Sequence, residues 1–400
     1  MDNNDTIVRL SPVGKTTGML YFGMLDMSFT IILGLVGSVL ISAIICFKSI
    51  FTPREIYPQL VWKESSLTKH LLKKCHRLKK PFRSSVLAPS TTIQTLLAYF
   101  LPAADVYFER EYIQMSDKGI VALDWMMNSG FKVKKNSPII IVFPRLTGDA
   151  LSVSYICLRA ARKGFRTVVF NRRGHGGSFL MTPKLTSCGD PSDVRQVIQY
   201  IRLKYPKVQI ASIAIGAGCV QLFSYLGEYG SSSILKAGVC ISPSYDVQDE
   251  SKDSIPKIYE ILLLLNLKKT LLQNSKSLSK TIDITKALSC WTLNDFDYHV
   301  YCKPSGIDSM QAFLEKNDPM RDVDEISVPV MCINSEDDAV SSKANIPFDI
   351  FQFYPNLLLV LLEKGGHCGF LEGVPPRSWA EKMAVEYIDA VLEFTQINKV

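Results

Sequence analysis

The amino-acid sequence predicts an α/β fold, a mostly parallel sheet with helices on both faces. Three observations predict it. Short, continuously apolar runs recur along the chain, as expected of strands buried on both faces. Stretches with apolar residues at helical spacing lie between them. The two kinds alternate, the order that builds right-handed crossover units.

Taken in chain order, residues 111–115 and 120–123 flank Ser116-Asp117-Lys118-Gly119 and read as a β-hairpin. Ile139–Phe143 reads as a central parallel strand, 152–163 as a helix and 165–170 as the next strand. Residues 193–205 carry Val194, Val197, Ile198 and Ile201 on one helix face. Strand 208–215, helix Gly218–Tyr229 and strands 237–241, 328–333 and Leu357–Leu362 follow, and helix 378–394 closes the chain. Residues 242–324 interrupt the alternation. They hold helix-like runs such as 258–272 and the aromatics Trp291, Phe296, Tyr298 and Tyr301, and are expected to form a helical lid or an ordinary helical subdomain.

The 400 residues are 47% hydrophobic, enough for one large core or two small ones with a segment left over. That segment is residues 27–47, which contain no charge and lie between Asp26 and Lys48. As a helix they would span about 31 Å, the thickness of a bilayer core. A single transmembrane helix is therefore expected, after a short N-terminal segment 1–26. Bases are few before it and many after it, which places the C-terminal side in the cytoplasm. The triplet Asn4-Asp5-Thr6 is a glycosylation sequon that would then lie outside.

Residues 48–106 read as a basic juxtamembrane connector leading to a domain at 107–400. The net charge is +7, and Lys69, Lys73, Lys74, Arg77, Lys79, Lys80 and Arg83 fall close together. Such a run is either a solvated face or an attraction to anionic lipid. No nucleic-acid motif accompanies it, so nucleic acid is not an expected partner. The ten cysteines are scattered, without CxxC or metal-ligand spacing. Free thiols, no metal and no cofactor are expected.

A set of short motifs resembles the AB hydrolase 4 family, and within it the branch of membrane-anchored α/β-hydrolase-domain proteins numbered 1 and 3. The pieces are Asp124-Trp125, Leu146-Thr147-Gly148, Val169-Phe170-Asn171-Arg172-Arg173-Gly174, Thr182-Pro183-Lys184-Leu185, Asp193, Tyr205-Pro206, Tyr225-Leu226-Gly227, Pro329-Val330, Asn334 with Asp337-Asp338, and Gly365-Gly366-His367 through Gly373. Their order and spacing carry the resemblance. It implies an α/β-hydrolase fold and carboxylic-ester hydrolysis through a Ser–Asp–His triad, with acylglycerols and phospholipids among the substrates. The expected location is the endoplasmic reticulum membrane, with the hydrolase domain on the cytosolic side that the charge bias indicates.

The chemistry needs a nucleophile, a base and an orienting carboxylate, arriving in this fold in the order Ser, Asp, His. His367 matches the base. Asp338 matches the carboxylate, with Asp337 as the competing choice. At the nucleophile the resemblance breaks, because G-x-S-x-G is replaced by Ala214-Ile215-Gly216-Ala217-Gly218. Glycine tolerates the strained elbow and cannot form an acyl-enzyme. The resemblance puts the oxyanion donors at Leu146 and Ala217. It also expects glycine where this chain has Arg145, whose side chain would fill or gate the site, or point to solvent. Cys219 and Ser212 are the candidate substitute nucleophiles, and water activated by His367 is a further route.

The expected function is that of a membrane-anchored, lipid-esterase-type protein that has lost normal hydrolysis and binds a lipid or a protein partner. The rivals are a working hydrolase with an unorthodox nucleophile and a membrane scaffold with a collapsed pocket.

Overall fold

Apolar runs that exclude water on both sides can only pair with one another, and they do so here. The structure, a computed structural model, describes residues 54–398 apart from 128–129, 131–132 and 246–254. Nine strands form one sheet: β1 (Gln59–Trp62), β2 (Tyr107–Gln114), β3 (Ile120–Met127), β4 (Ile139–Phe143), β5 (Arg166–Asn171), β6 (Ile210–Ile215), β7 (Gly238–Ile241), β8 (Val330–Ser335) and β9 (Leu357–Leu362). Their order is β1-β9-β8-β7-β6-β4-β5-β3-β2. The six strands from β9 to β5 are mutually parallel. The hairpin β2–β3 and the strand β1 are antiparallel additions at the two edges. Every residue of β4, β6, β7, β8 and β9 is buried, as the unbroken apolar runs require.

The helices are α1 (Ser66–Lys74), α2 (Thr91–Phe100), α3 (Ser154–Arg162), α4 (Ser192–Lys204), α5 (Gly218–Tyr229), α6 (Lys257–Gln273), α7 (Ser275–Leu278), α8 (Ile284–Ser289), α9 (Leu293–Asp297), α10 (Met310–Lys316), α11 (Phe348–Phe353) and α12 (Trp379–Ile397). One core lies under α3 and α12, and the other, on the opposite sheet face, under α4 and α5. Helices α6 to α10 carry a third, smaller core of their own around Leu264, Leu271 and Phe296. The expected insertion between β7 and β8 is thus helical.

The connector reading of 48–106 needs correction. Within it, β1 pairs with β9, and Leu71, Cys75, Leu78 and Phe82 are buried in the core with Trp379. The Phe82 ring meets Trp379 edge-on at 6.2 Å. The domain therefore begins near residue 54 rather than at 107. Charge density hid this, because Lys69, Lys73 and Lys74 share α1 with the buried Leu71. Residues 1–26 and the expected transmembrane segment 27–47 lie outside the described residues. No helix among the described residues is long and apolar enough to cross a membrane.

Candidate active site

The site forms where the parallel strands end. β6 runs into α5 through Gly216, whose φ is +54°. A side chain is disfavoured at such a φ, and glycine adopts it without strain. A Cβ at 216 would sit 3.4 Å from His367 Nε2, 3.4 Å from Cys368 Sγ and 3.6 Å from Arg145 Cγ. These are ordinary contacts, so space for a side chain exists. Gly218 is different: a Cβ there would lie 2.5 Å from the Phe143 carbonyl oxygen. Close approach of α5 to β4 therefore requires Gly218.

His367 follows β9 in a glycine-rich turn. Its Nδ1 lies 3.0 Å from Asp338 Oδ2 and 3.2 Å from Oδ1. Asp338, at the end of β8, is held by the Val340 and Ser341 amides at 2.8 and 2.9 Å. Two amide donors fix the carboxylate, which in turn fixes the imidazole with Nε2 toward residue 216. Asp337 does other work. It accepts from the Gly365 and Gly366 amides at 2.9 Å each and from the Thr91 hydroxyl, tying the histidine turn to α2. Burial opposes charge on His367, but the Asp338 carboxylate and the adjoining Cys368 thiol outweigh it and hold the ring well above its ordinary pKa.

The two expected oxyanion residues line the same cavity, with Ala217 as the N-cap of α5. Leu146 is positioned from behind. Buried Arg172 donates to the Leu146 carbonyl at 3.0 Å and lies 3.1 Å from His175 Nε2. Burial and the Arg172 charge push His175 down to about 3, so its ring is neutral. A neutral ring donates from Nδ1 to the Arg173 carbonyl at 2.9 Å and accepts from Arg172 at Nε2.

Arg145 neither caps the cavity with its charge nor points freely to solvent. Its stem passes the 216 position, and its Nη2 donates to the Ala98 carbonyl in the last turn of α2 at 3.1 Å. A cation at a helix C-terminus satisfies an open carbonyl and the helix dipole. Beyond it stands Glu381, the N3 residue of α12. Burial pushes this carboxyl up to about 7 against the pull of Arg145, Arg159, Arg377 and Lys382. The folded chain therefore keeps a proton that the unfolded chain has already released. Stability contributed here is full below the ordinary value of 4.5 and falls as pH rises to about 7. Glu381→Gln should flatten that fall, seen as a smaller drop in urea midpoint between the two pH values. Identical slopes for the two proteins would contradict the assignment.

The expected substitute nucleophiles are elsewhere. Cys219 is fully buried, its thiol donates to the Ile241 carbonyl at 3.5 Å, and burial pushes it up. Ser212 is buried inside β6, its Oγ unbonded among the described residues. Cys368, which the sequence did not single out from the other cysteines, has its Sγ 3.4 Å from where a Cβ at 216 would stand.

Gly216, Ala217, Leu146 and His367 open on a cavity of about 230 Å³. Its walls are mainly apolar: Leu96 and Tyr99 from α2, Val220 from α5, Tyr259, Leu262 and Leu263 from α6, and Leu293 from α9.

A nine-stranded sheet with a nucleophile elbow, a terminal histidine and an orienting aspartate defines an α/β-hydrolase. Residues 134–357 match the family model described as "Serine aminopeptidase, S33", and the chain belongs to that Hydrolase_4 family. It is similar to human "Protein ABHD15", 35% identical over 84% of this chain and 74% of the relative. It is also similar to bovine "Phospholipase ABHD3", 29% identical over 84% of this chain and 85% of the relative. Among solved structures, the 2,6-dihydroxy-pseudo-oxynicotine hydrolase shares the fold, with a TM-score of 0.50 and 15% identity over 77% of this chain and 74% of that one.

Proposed function

We propose that this chain is a lipid-binding member of the family in which serine hydrolysis has been lost, acting at a membrane surface. The observation that carries the reading is the open apolar cavity that ends at Gly216, where the fold's nucleophile would stand. Its walls suit an acyl chain, and its polar end, with His367, suits an ester group. Relatives named phospholipase and monoacylglycerol lipase support ester lipids as the ligand class. The helices α6 and α9 roof the cavity and act as its lid. An open cavity favours a lipid binder over a scaffold with a collapsed pocket.

The membrane reading rests on the anchor expected at 27–47 and on the basic run. Within that run Lys74, Arg77 and Arg83 are paired with carboxylates. Lys69, Lys73, Lys79 and Lys80 are exposed and form no ion pair among the described residues.

Both parts can be tested on a chain beginning at Arg54, with one titration for each. A fluorescent fatty acid should bind and be displaced by a monoacylglycerol or a lysophospholipid. Leu263→Asp puts a charge in the apolar wall and should weaken binding at least about tenfold. Equal affinity in that variant would move the ligand elsewhere. Anionic vesicles should bind the chain and release it as salt rises. Equal binding to neutral vesicles would remove the electrostatic part.

A further inference from the structure

Replacing serine by glycine leaves a gap, and what faces the gap is chemically informative. Two side-chain atoms lie nearest the missing Cβ, each at 3.4 Å: His367 Nε2 and Cys368 Sγ. Cys368 is one of the groups that raise the His367 pKa. Gly216 and His367 both line the acyl-sized cavity, so the gap is continuous with it. Cys368 itself lines a smaller recess beside Tyr99, Arg145 and Glu381, and meets the acyl-sized cavity only through the gap at Gly216.

The backbone aims this thiol. Cys368 has φ +58°, a conformation that side chains disfavour, and its amide is pinned to Ser242 Oγ at 2.9 Å. The ordinary successor of a catalytic histidine needs no nucleophilic atom, whereas this one presents a sulfur on the face that the serine would have used.

We propose that Cys368 is the acyl acceptor of this protein, forming a Cys368–His367–Asp338 triad in which the nucleophile has moved from residue 216 to residue 368. The Cys368 thiol gives its proton to His367 Nε2, and the thiolate attacks the ester carbonyl carbon. The carbon–oxygen bond to the alcohol breaks, and the departing alkoxide takes the proton back from His367. The products are an alcohol and an S-acyl thioester on Cys368. Water, deprotonated by His367, can then attack the thioester, releasing the carboxylic acid and restoring the thiol. No oxidant or cofactor is needed.

The environment suits sulfur better than oxygen. Asp338, 3.0 Å from Nδ1, favours the imidazolium that His367 becomes once it has taken the proton. That imidazolium is a good partner for a thiolate, which forms far more readily than a serine alkoxide. The thioester would also persist, because Arg145 occupies the loop position at which the family's glycine lets the oxyanion donors approach. The cavity would then hold its acyl chain covalently.

This inference rests on the lipid-binding reading, and the experiment separates the two. The full chain is incubated with p-nitrophenyl butyrate and analysed by intact mass and by peptide mapping, while fatty-acid binding is measured in parallel. The expected result is a stoichiometric burst of nitrophenol with one butyryl group on Cys368, removed by hydroxylamine. Cys368→Ala should abolish the adduct, and His367→Ala should slow its formation by about 10²-fold or more. Cys368→Ser, which keeps the size and replaces the sulfur, should also lose the burst. Butyryl on another cysteine, or an adduct that survives Cys368→Ala, would overturn the inference. Fatty-acid binding with no adduct would overturn it and leave lipid binding standing. Neither binding nor adduct would overturn both.

Discussion

Gly216→Ser should raise esterase activity by about 10²-fold or more and lower stability at the same time. Both effects come from the same few atoms. Space for the Cβ exists at 3.4 Å from His367 Nε2, so a hydroxyl at that position falls within reach of an imidazole already oriented by Asp338. The Asp338 carboxylate raises the His367 pKa, so activity should rise with pH as the ring releases its proton. The strain comes from φ +54°, which glycine adopts freely and serine does not, at about 1–3 kcal/mol. Hydrolysis of a short-chain ester and a urea melt check the two halves. A second comparison, with Arg145→Gly added, separates the elbow from the oxyanion loop. Activity only in the double variant assigns a second lesion to Arg145. Unchanged activity in both variants would mean that His367 is not poised over residue 216.

The largest loss of stability is expected at Asp193. Its carboxylate pairs with the Arg173 guanidinium at 2.6 and 2.8 Å, with both side chains almost fully buried. Arg173 is shared with Asp117 in the β2–β3 turn, at 2.7 Å. Asp193→Ala leaves a buried guanidinium with only its half-exposed partner. Removing one member of a buried pair costs about 3 kcal/mol or more, because the remaining charge stays desolvated. The consequence reaches the site, since Arg173 adjoins Arg172, which holds the Leu146 carbonyl. A urea midpoint lowered accordingly, with weaker fatty-acid binding, is the expected outcome. A midpoint within experimental error of the parent would show that Asp117 alone suffices.

The central strands were legible because they are buried on both faces. Ile139–Phe143 and Leu357–Leu362 carry no polar residue and fall where expected. Edges were less legible. β1 is four residues long, buries only part of its surface and follows a proline, so nothing in its pattern separates it from a linker. The helix α1 was hidden similarly, its lysines outnumbering its one buried leucine. At the site, motif order marked His367, Asp338 and Gly216, whereas the choice between two adjacent aspartates needed three dimensions. One residue along the turn, Asp337 aims at the Gly365 and Gly366 amides and Asp338 at the imidazole. Cys368 could not be separated from nine other cysteines, because only the fold brings its sulfur to the elbow.

On the proposed reading, Gly216 removes serine chemistry while the cavity and the His367–Asp338 pair remain in place. An alkyl fluorophosphonate tests this most directly, since it occupies an acyl cavity and reacts with an activated serine. The unmodified chain should take no label, and Gly216→Ser should be labelled at the introduced hydroxyl, in a reaction lost when His367→Ala is added. Serine labelling of the unmodified chain that disappears in His367→Ala would contradict the account, because a working serine would then stand somewhere other than residue 216.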